Sequence, residues 1–263
     1  MKVATNNLAI YVEEQGSSDC ALLFLHYWGG SSRTWRHVTK QLARDFHCLA
    51  IDHRGWGQSD APADGYGLAD LAADAEGVIQ ALGLRRYLLV GHSMGGKVAQ
   101  LMASRGPEGL VGLVLVAPSP PQPMAMPQQA RDIMAAAYNS REAVEATLDH
   151  MLTARTLSAE DREFAIADSL RGAAAAKAAW PRATSLEDIS ATVSEIKVPV
   201  LVIAGELDRV DTPDLLRAEL LSRVPQAVMA IFPGTGHLSM LEAPDEVSQL
   251  IHQFCGQIFT PQA

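Results

Sequence analysis

The sequence predicts an α/β fold, a mostly parallel, doubly wound sheet flanked by helices and broken once by a helical insertion. Three observations carry that expectation. Short apolar runs recur along the chain, segments with helical apolar spacing lie between them, and the alternation stops at a proline cluster before it resumes.

The apolar runs are 21–26, 48–51, 87–90, 113–116, 198–204 and 228–232. Runs this short and continuously apolar suit strands buried on both faces of a parallel sheet. The alternating stretch 8–12 suits an edge strand or hairpin arm. In the helical segment 32–42, Trp35, Val38 and Leu42 share a face. In 68–82, Leu71, Ala75, Val78, Ile79 and Leu82 do so. Further helices are expected at 95–104, 215–221 and 247–259. After Ala117, Pro118, Pro120, Pro121, Pro123 and Pro127 end regular structure. Helix-type sequence then fills 128–180 until the strand run at 198 returns to the sheet. The expected organisation is a core of 1–117 and 191–263 with a helical cap at 118–190.

A chain of 263 residues accommodates one α/β domain with such an insertion, and a hydrophobic fraction of 48% is ordinary for a large core. No run of 18 or more apolar residues occurs, so no membrane span is expected. The N-terminus has no long apolar segment after Lys2, and the expected compartment is the cytoplasm. A net charge of −9 would repel a polyanion, which argues against nucleic acid as a partner. Cys20, Cys48 and Cys255 are widely spaced and form no CxxC pair, so reduced thiols are expected rather than a disulfide framework or structural zinc.

The chemistry centres on Gly91-His92-Ser93-Met94-Gly95, followed by Gly96. It lies where a predicted strand meets a predicted helix. A chain making that join through a tight turn has no room for side chains beside the serine, hence glycine on both sides. A helix N-cap serine is the plain alternative, and a dinucleotide loop would need glycine at position 93. A serine hydroxyl becomes a good nucleophile only with a base in hydrogen-bond reach and an acid behind it. Of the eight histidines, His237 fits best. It follows the run 228–232 and so falls at the carboxyl end of the sheet, the edge expected for Ser93. His37 and His150 fall in expected helices, His47 opens a strand, and His252 is near the C-terminus. His53 reads as structural and His92 as packing beside the elbow. The acid is expected in Gly205-Glu206-Leu207-Asp208, with Asp208 preferred over Glu206 and Asp211. The chain order Ser93, Asp208, His237 is the one expected with this elbow. Oxyanion donors are expected at the backbone N–H of Met94 and in the loop His26-Tyr27-Trp28-Gly29-Gly30, with Trp28 the best candidate.

At these residues the chain resembles the α/β-hydrolase superfamily, and within it the small bacterial carboxylesterases and arylesterase-like hydrolases with a cap. The resemblance rests on the loop 26–30, the elbow, the acid turn and Pro233-Gly234-Thr235-Gly236-His237, together with Asp52-His53-Arg54-Gly55-Trp56-Gly57-Gln58-Ser59-Asp60. It implies an eight-stranded α/β-hydrolase sheet and a structural role for Arg54 and Asp60 in bracing their loop. Tyr27 stands where the family usually has glycine. Relatives of the haloalkane dehalogenase and epoxide hydrolase type carry aspartate at the elbow, so Ser93 points instead to acyl transfer. The expected substrate is a small, mainly apolar ester, met by Tyr27, Trp28, Met124 and Met126, with Met134 and Met151 as further apolar candidates. Ordinary core packing is the competing reading for these methionines. Water is the second reactant, and neither metal nor organic cofactor is expected. Hydrolysis of a C–C bond or lactone, or cofactor-free perhydrolysis, would use the same triad. A non-catalytic ligand receptor on this scaffold is a further alternative.

Overall fold

The computed structural model describes residues 1–259. Its centre is an eight-stranded sheet in the order β1-β2-β4-β3-β5-β6-β7-β8. In chain order the strands are β1 (Lys2–Thr5), β2 (Leu8–Gln15), β3 (Ala21–Leu25), β4 (His47–Ile51), β5 (Tyr87–His92), β6 (Leu110–Val116), β7 (Val200–Gly205) and β8 (Ala227–Phe232). The first two strands form a hairpin, and β2 pairs antiparallel with β4. From β4 to β8 every pairing is parallel. All five residues of β3 and all six of β5 are buried, as two-sided coverage by helices requires.

The helices of the core are α1 (Arg36–Leu42), α2 (Leu68–Ala81) and α3 (Met94–Ser104). Between β6 and β7 come α4 (Gln128–Ala136), α5 (Arg141–Thr147), α6 (Ala159–Arg171) and α7 (Ala174–Arg182). The chain closes with α8 (Pro213–Leu216), α9 (Ser239–Glu242) and α10 (Pro244–Phe259). Among the described residues no helix is long and apolar enough to cross a membrane. Cys20, Cys48 and Cys255 are free thiols.

Several expected boundaries shift for physical reasons. The run at 198 begins as a strand only at Val200, because Pro199 has no N–H to give the ladder; its carbonyl instead accepts the Leu113 N–H at 3.0 Å. β6 begins at Leu110, earlier than its apolar run, since Gly112 masks its start. A Cβ on Gly112 would lie 2.7 Å from Ile258 Cδ1, so the glycine admits α10 to the sheet. The segment 32–42 divides into a 3₁₀ turn, Ser32–Trp35, capped by Ser31, and then α1. β1 was not expected at all.

The segment between β6 and β7 docks on loops at the carboxyl edge of the sheet. Tyr138 Oη donates to the Trp28 carbonyl at 2.9 Å, and Ser169 Oγ to the Gly29 carbonyl at 3.0 Å. Ser31 Oγ donates to Asp168 at 2.7 Å, Thr184 Oγ1 to the Tyr66 carbonyl at 2.8 Å, and Glu187 accepts the Leu68 N–H at 2.9 Å. The loop after β4 is braced by bonds to its neighbours. Arg54 pairs with buried Asp74 of α2 at 2.6 and 2.7 Å, and Asp60 accepts the Ala9 N–H at 2.9 Å and Lys2 Nζ at 3.2 Å. Asp52 adds two more bonds, from the N–H groups of Ser32 at 2.6 Å and Gln58 at 2.7 Å.

Candidate active site

Ser93 is the single residue between β5 and α3, at φ 50° and ψ −115°. An L-residue with positive φ is strained by about 1–3 kcal/mol and persists only where its surroundings over-determine it. Here they do. The Ser93 N–H donates to the Val116 carbonyl at 3.3 Å, and its own carbonyl accepts the N–H groups of Lys97 and Ser119, each at 3.0 Å. The glycine pattern has the steric origin expected of it. A Cβ on Gly91 would lie 2.5 Å from the Gly95 carbonyl oxygen, and one on Gly95 would lie 2.5 Å from that of Leu25. Gly96 admits Pro118, whose Cβ would be 2.7 Å from a side chain there.

His237 and Asp208 come from the loops after β8 and β7. His237 Nδ1 meets Asp208 Oδ2 at 2.9 Å. A carboxylate can only accept, so Nδ1 carries the proton and the neutral ring keeps its lone pair on Nε2. Asp208 Oδ1 accepts the N–H groups of Val210 at 2.8 Å and Asp211 at 3.1 Å, so both carboxylate oxygens are occupied. His92, the neighbour of Ser93, donates from Nε2 to the His237 carbonyl at 2.9 Å, and the two rings lie 4.8 Å apart. Ser93, Asp208 and His237 are 7%, 4% and 1% exposed. Burial works against the imidazolium of His237. The charge and hydrogen bond of Asp208, with Asp211 and Glu242 behind it, outweigh that and raise its pKa above the usual 6.5.

The rival acids are placed differently. Glu206 accepts the Gly234 N–H at 2.8 Å and braces the histidine loop. Asp211 is buried with Oδ2 unbonded; burial first, then the adjacent Asp208 charge, push its pKa up to about 8. Asp208 is thus the acid that bonds His237.

In the loop after β3, the Tyr27 carbonyl accepts both the Gly30 N–H at 3.0 Å and His26 Nδ1 at 2.7 Å. His26 Nε2 in turn accepts the His53 N–H at 3.0 Å. These bonds fix the plane of the Tyr27–Trp28 peptide. In a trans peptide the Trp28 N–H then points opposite that anchored carbonyl. The Trp28 ring stacks on Tyr138 at 4.1 Å, and Nε1 donates to the Lys177 carbonyl at 3.2 Å. The Tyr27 ring packs beside His92 at 5.1 Å and over Gly30. Met124 and Met134 pack on the core, the Met124 N–H donating to the Ser185 carbonyl at 2.9 Å, and Met126 is half-buried. Met151 is 45% exposed.

Two features escaped the sequence reading. Lys97, one turn after Ser93, is buried with Nζ on the Gln122 carbonyl at 2.9 Å, and burial lowers its pKa to about 8. A single charged residue in an otherwise uncharged helix is the available signal. The other is the set of contacts around Glu242, which leave no mark in local sequence. Among the described residues no group of three or more His, Cys, Asp or Glu side chains is placed to hold a metal ion.

The model of the Alpha/beta hydrolase family matches residues 22–250. The 2-hydroxy-6-oxononadienedioate/2-hydroxy-6-oxononatrienedioate hydrolase of Paraburkholderia phymatum is 29% identical, over 95% of this chain and 92% of its own length. The pimeloyl-[acyl-carrier protein] methyl ester esterase of Yersinia enterocolitica is 28% identical, over 92% and 95%. Among solved structures, Est816, described as an N-acyl homoserine lactone degrading enzyme, superposes with a TM-score of 0.84 at 28% identity, over 97% of this chain and 100% of its own. With the match spanning most of its length and the eight-stranded sheet in place, the chain belongs to the alpha/beta hydrolase family.

Proposed function

We propose that the protein is a serine hydrolase that cleaves small, mainly apolar carboxylic esters through an acyl-enzyme, with Ser93 as nucleophile, His237 as base and Asp208 as the orienting acid. The observation that carries this reading is the 2.9 Å bond from His237 Nδ1 to Asp208, on a loop whose His237 carbonyl is bonded by His92, the neighbour of a Ser93 held at φ 50°. In the proposed sequence Ser93 Oγ attacks the ester carbonyl as its proton passes to His237 Nε2. The oxyanion is met by the backbone N–H groups of Met94 and Trp28, each worth about 3–4 kcal/mol in such a site. Collapse breaks the C–O bond, and His237 returns the proton to the departing alcohol. Water, deprotonated by His237, then attacks the acyl-enzyme and releases the carboxylic acid and free Ser93. Asp208 keeps Nδ1 protonated throughout.

The segment 118–190 is read as a cap over this site, with Tyr27, Trp28, Met124 and Met126 as the candidates for contact with substrate. The absence of a basic cluster in that segment favours an uncharged ester. The reactant besides the ester is water, and no metal or organic cofactor takes part in the proposed steps. A second reading, lactone hydrolysis, draws on the likeness to Est816. A lactone is a cyclic ester, and its opening needs the same triad and oxyanion donors. The relative that hydrolyses 2-hydroxy-6-oxo diacids, which contain no ester link, keeps C–C hydrolysis in the test.

A panel of p-nitrophenyl acetate, butyrate and decanoate, an acyl homoserine lactone, a vinylogous diketone and a peracid assay separates these activities. The expected result is fastest turnover of the short esters, lowered about 10⁴-fold or more in Ser93→Ala with the fold retained. Faster turnover of the lactone would transfer the assignment to that class. Tight binding of ligands without turnover would mark a receptor.

A further inference from the structure

The loop that carries His237 is not held by the core alone. Glu242 of α9 accepts the Gly236 N–H on Oε2 at 2.7 Å. Its Oε1 accepts the N–H groups of Ala154 and Arg155, both at 2.6 Å, and these residues belong to the segment between α5 and α6. Arg155 answers from the other side. It donates from Nη2 to the Pro233 carbonyl at 2.7 Å, from Nε to the Gly234 carbonyl at 3.2 Å and from Nη1 to the Glu242 carbonyl at 3.3 Å. The Leu238 N–H, just past the base, donates to the Leu152 carbonyl at 3.1 Å. Packing is tight enough that a Cβ on Gly236 would lie 2.8 Å from the Ala154 nitrogen. Of the residues on either side of His237, Leu238 is therefore bonded directly to 152–155, a stretch of the inserted segment, and Gly236 is linked to it through Glu242.

We propose that Glu242 and Arg155 are positioning residues that clamp the inserted segment to the His237 loop, so that the seating of that segment and the orientation of the base form one equilibrium. The inference rests on His237 being the base. A carboxylate collecting three backbone N–H groups makes strong charge-assisted bonds, stronger than neutral ones of the same geometry. The guanidinium does the complementary task on the carbonyls of the same turn. If the clamp opens, Gly236 and Leu238 lose their outer partners while Asp208 still holds Nδ1, and Nε2 can swing away from Ser93. Loss of angular definition at a proton-transfer atom lowers turnover more than substrate affinity. The charged and titratable groups facing His237 are Asp208 and Asp211 from the β7 loop, His92 at the end of β5, and Glu242.

The test compares Glu242→Gln and Arg155→Met with wild type and Asp208→Asn, using p-nitrophenyl acetate hydrolysis, thermal unfolding and the far-downfield proton NMR signal of the His237 Nδ1–H. The clamp predicts that both variants lower kcat by about ten- to a hundred-fold with KM within about twofold. Their Tm stays near wild type, and the Nδ1–H signal broadens or moves. Arg155→Lys, which keeps a donor, restores part of kcat. Unchanged kcat and an unmoved signal in both variants would overturn the proposal. So would a loss of kcat that only follows a loss of Tm. If Asp208→Asn and the clamp variants all hydrolyse the ester at the wild-type rate, the base assignment itself has failed. An inactive Asp208→Asn beside intact clamp variants sinks the clamp alone.

Discussion

Asp208 and Asp211 share one turn of chain and meet opposite electrostatic surroundings. Asp208 receives two backbone N–H groups and the imidazole, whereas Asp211 receives no donor on Oδ2 and faces the charge of its neighbour. A carboxylate with donors on both oxygens is suited to hold an imidazolium; a buried acid with no donor on one oxygen is less so. Asp208→Asn is accordingly expected to cost about 10⁴-fold in kcat, while Asp211→Asn costs less than about tenfold. Steady-state kinetics on the two purified variants separates them, and the reverse ranking would exchange the roles. The same contacts fix the pH profile. The base form of His237 is the neutral ring, and its pKa is raised by Asp208 against the effect of burial. Activity should therefore fall as pH drops through a value above 6.5, and an acid limb in kcat/KM centred below 6.5 would contradict that environment. At this scale the three triad candidates were legible because each has a local signature: glycines that relieve a steric conflict, and loops at strand ends in the expected chain order. Lys97 and the Glu242–Arg155 contacts were not, since their partners are backbone carbonyls and N–H groups far away in sequence.

The elements carry the same logic one level up. The β5–α3 join works only because α3 can approach the end of β3, and Gly95 is where the two meet. Gly95→Ala would place a methyl group 2.5 Å from the Leu25 carbonyl oxygen and 2.6 Å from that of His26, neither of which can step aside. Overpacking of this kind costs about 1–3 kcal/mol. For a domain of this size each kcal/mol lowers Tm by about 2–4 °C. Calorimetry should find a clear drop, with activity falling as the elbow shifts; an unchanged Tm would mean that α3 does not sit so close. The buried parallel strands were readable from apolar runs alone. Their edges were not. Pro199 shortens β7 at its start, Gly112 conceals the start of β6 beneath α10, and the four residues of β1 alternate too briefly to stand out.

At the scale of the whole molecule, one edge of the sheet gathers everything. The loops after β3, β5, β7 and β8 bring Trp28, Ser93, Asp208 and His237, the candidate oxyanion donor, nucleophile, acid and base, to that edge, and the segment between β6 and β7 is bonded across it through Tyr138, Ser169, Asp168, Thr184 and Arg155. Proline clustering foretold where the sheet is interrupted. It could not foretell these contacts, because docking pairs groups over separations of up to 149 residues. Ser93 is only 7% exposed, so a reagent that reacts covalently with it reports both that the hydroxyl is activated and that the site can be entered. The most direct measurement is peptide mapping by mass spectrometry after treatment with a fluorophosphonate. The account predicts a single adduct on Ser93, formed in wild type, absent in Ser93→Ala and greatly slowed in His237→Ala. An unlabelled wild-type protein, or an adduct on another serine, would contradict it.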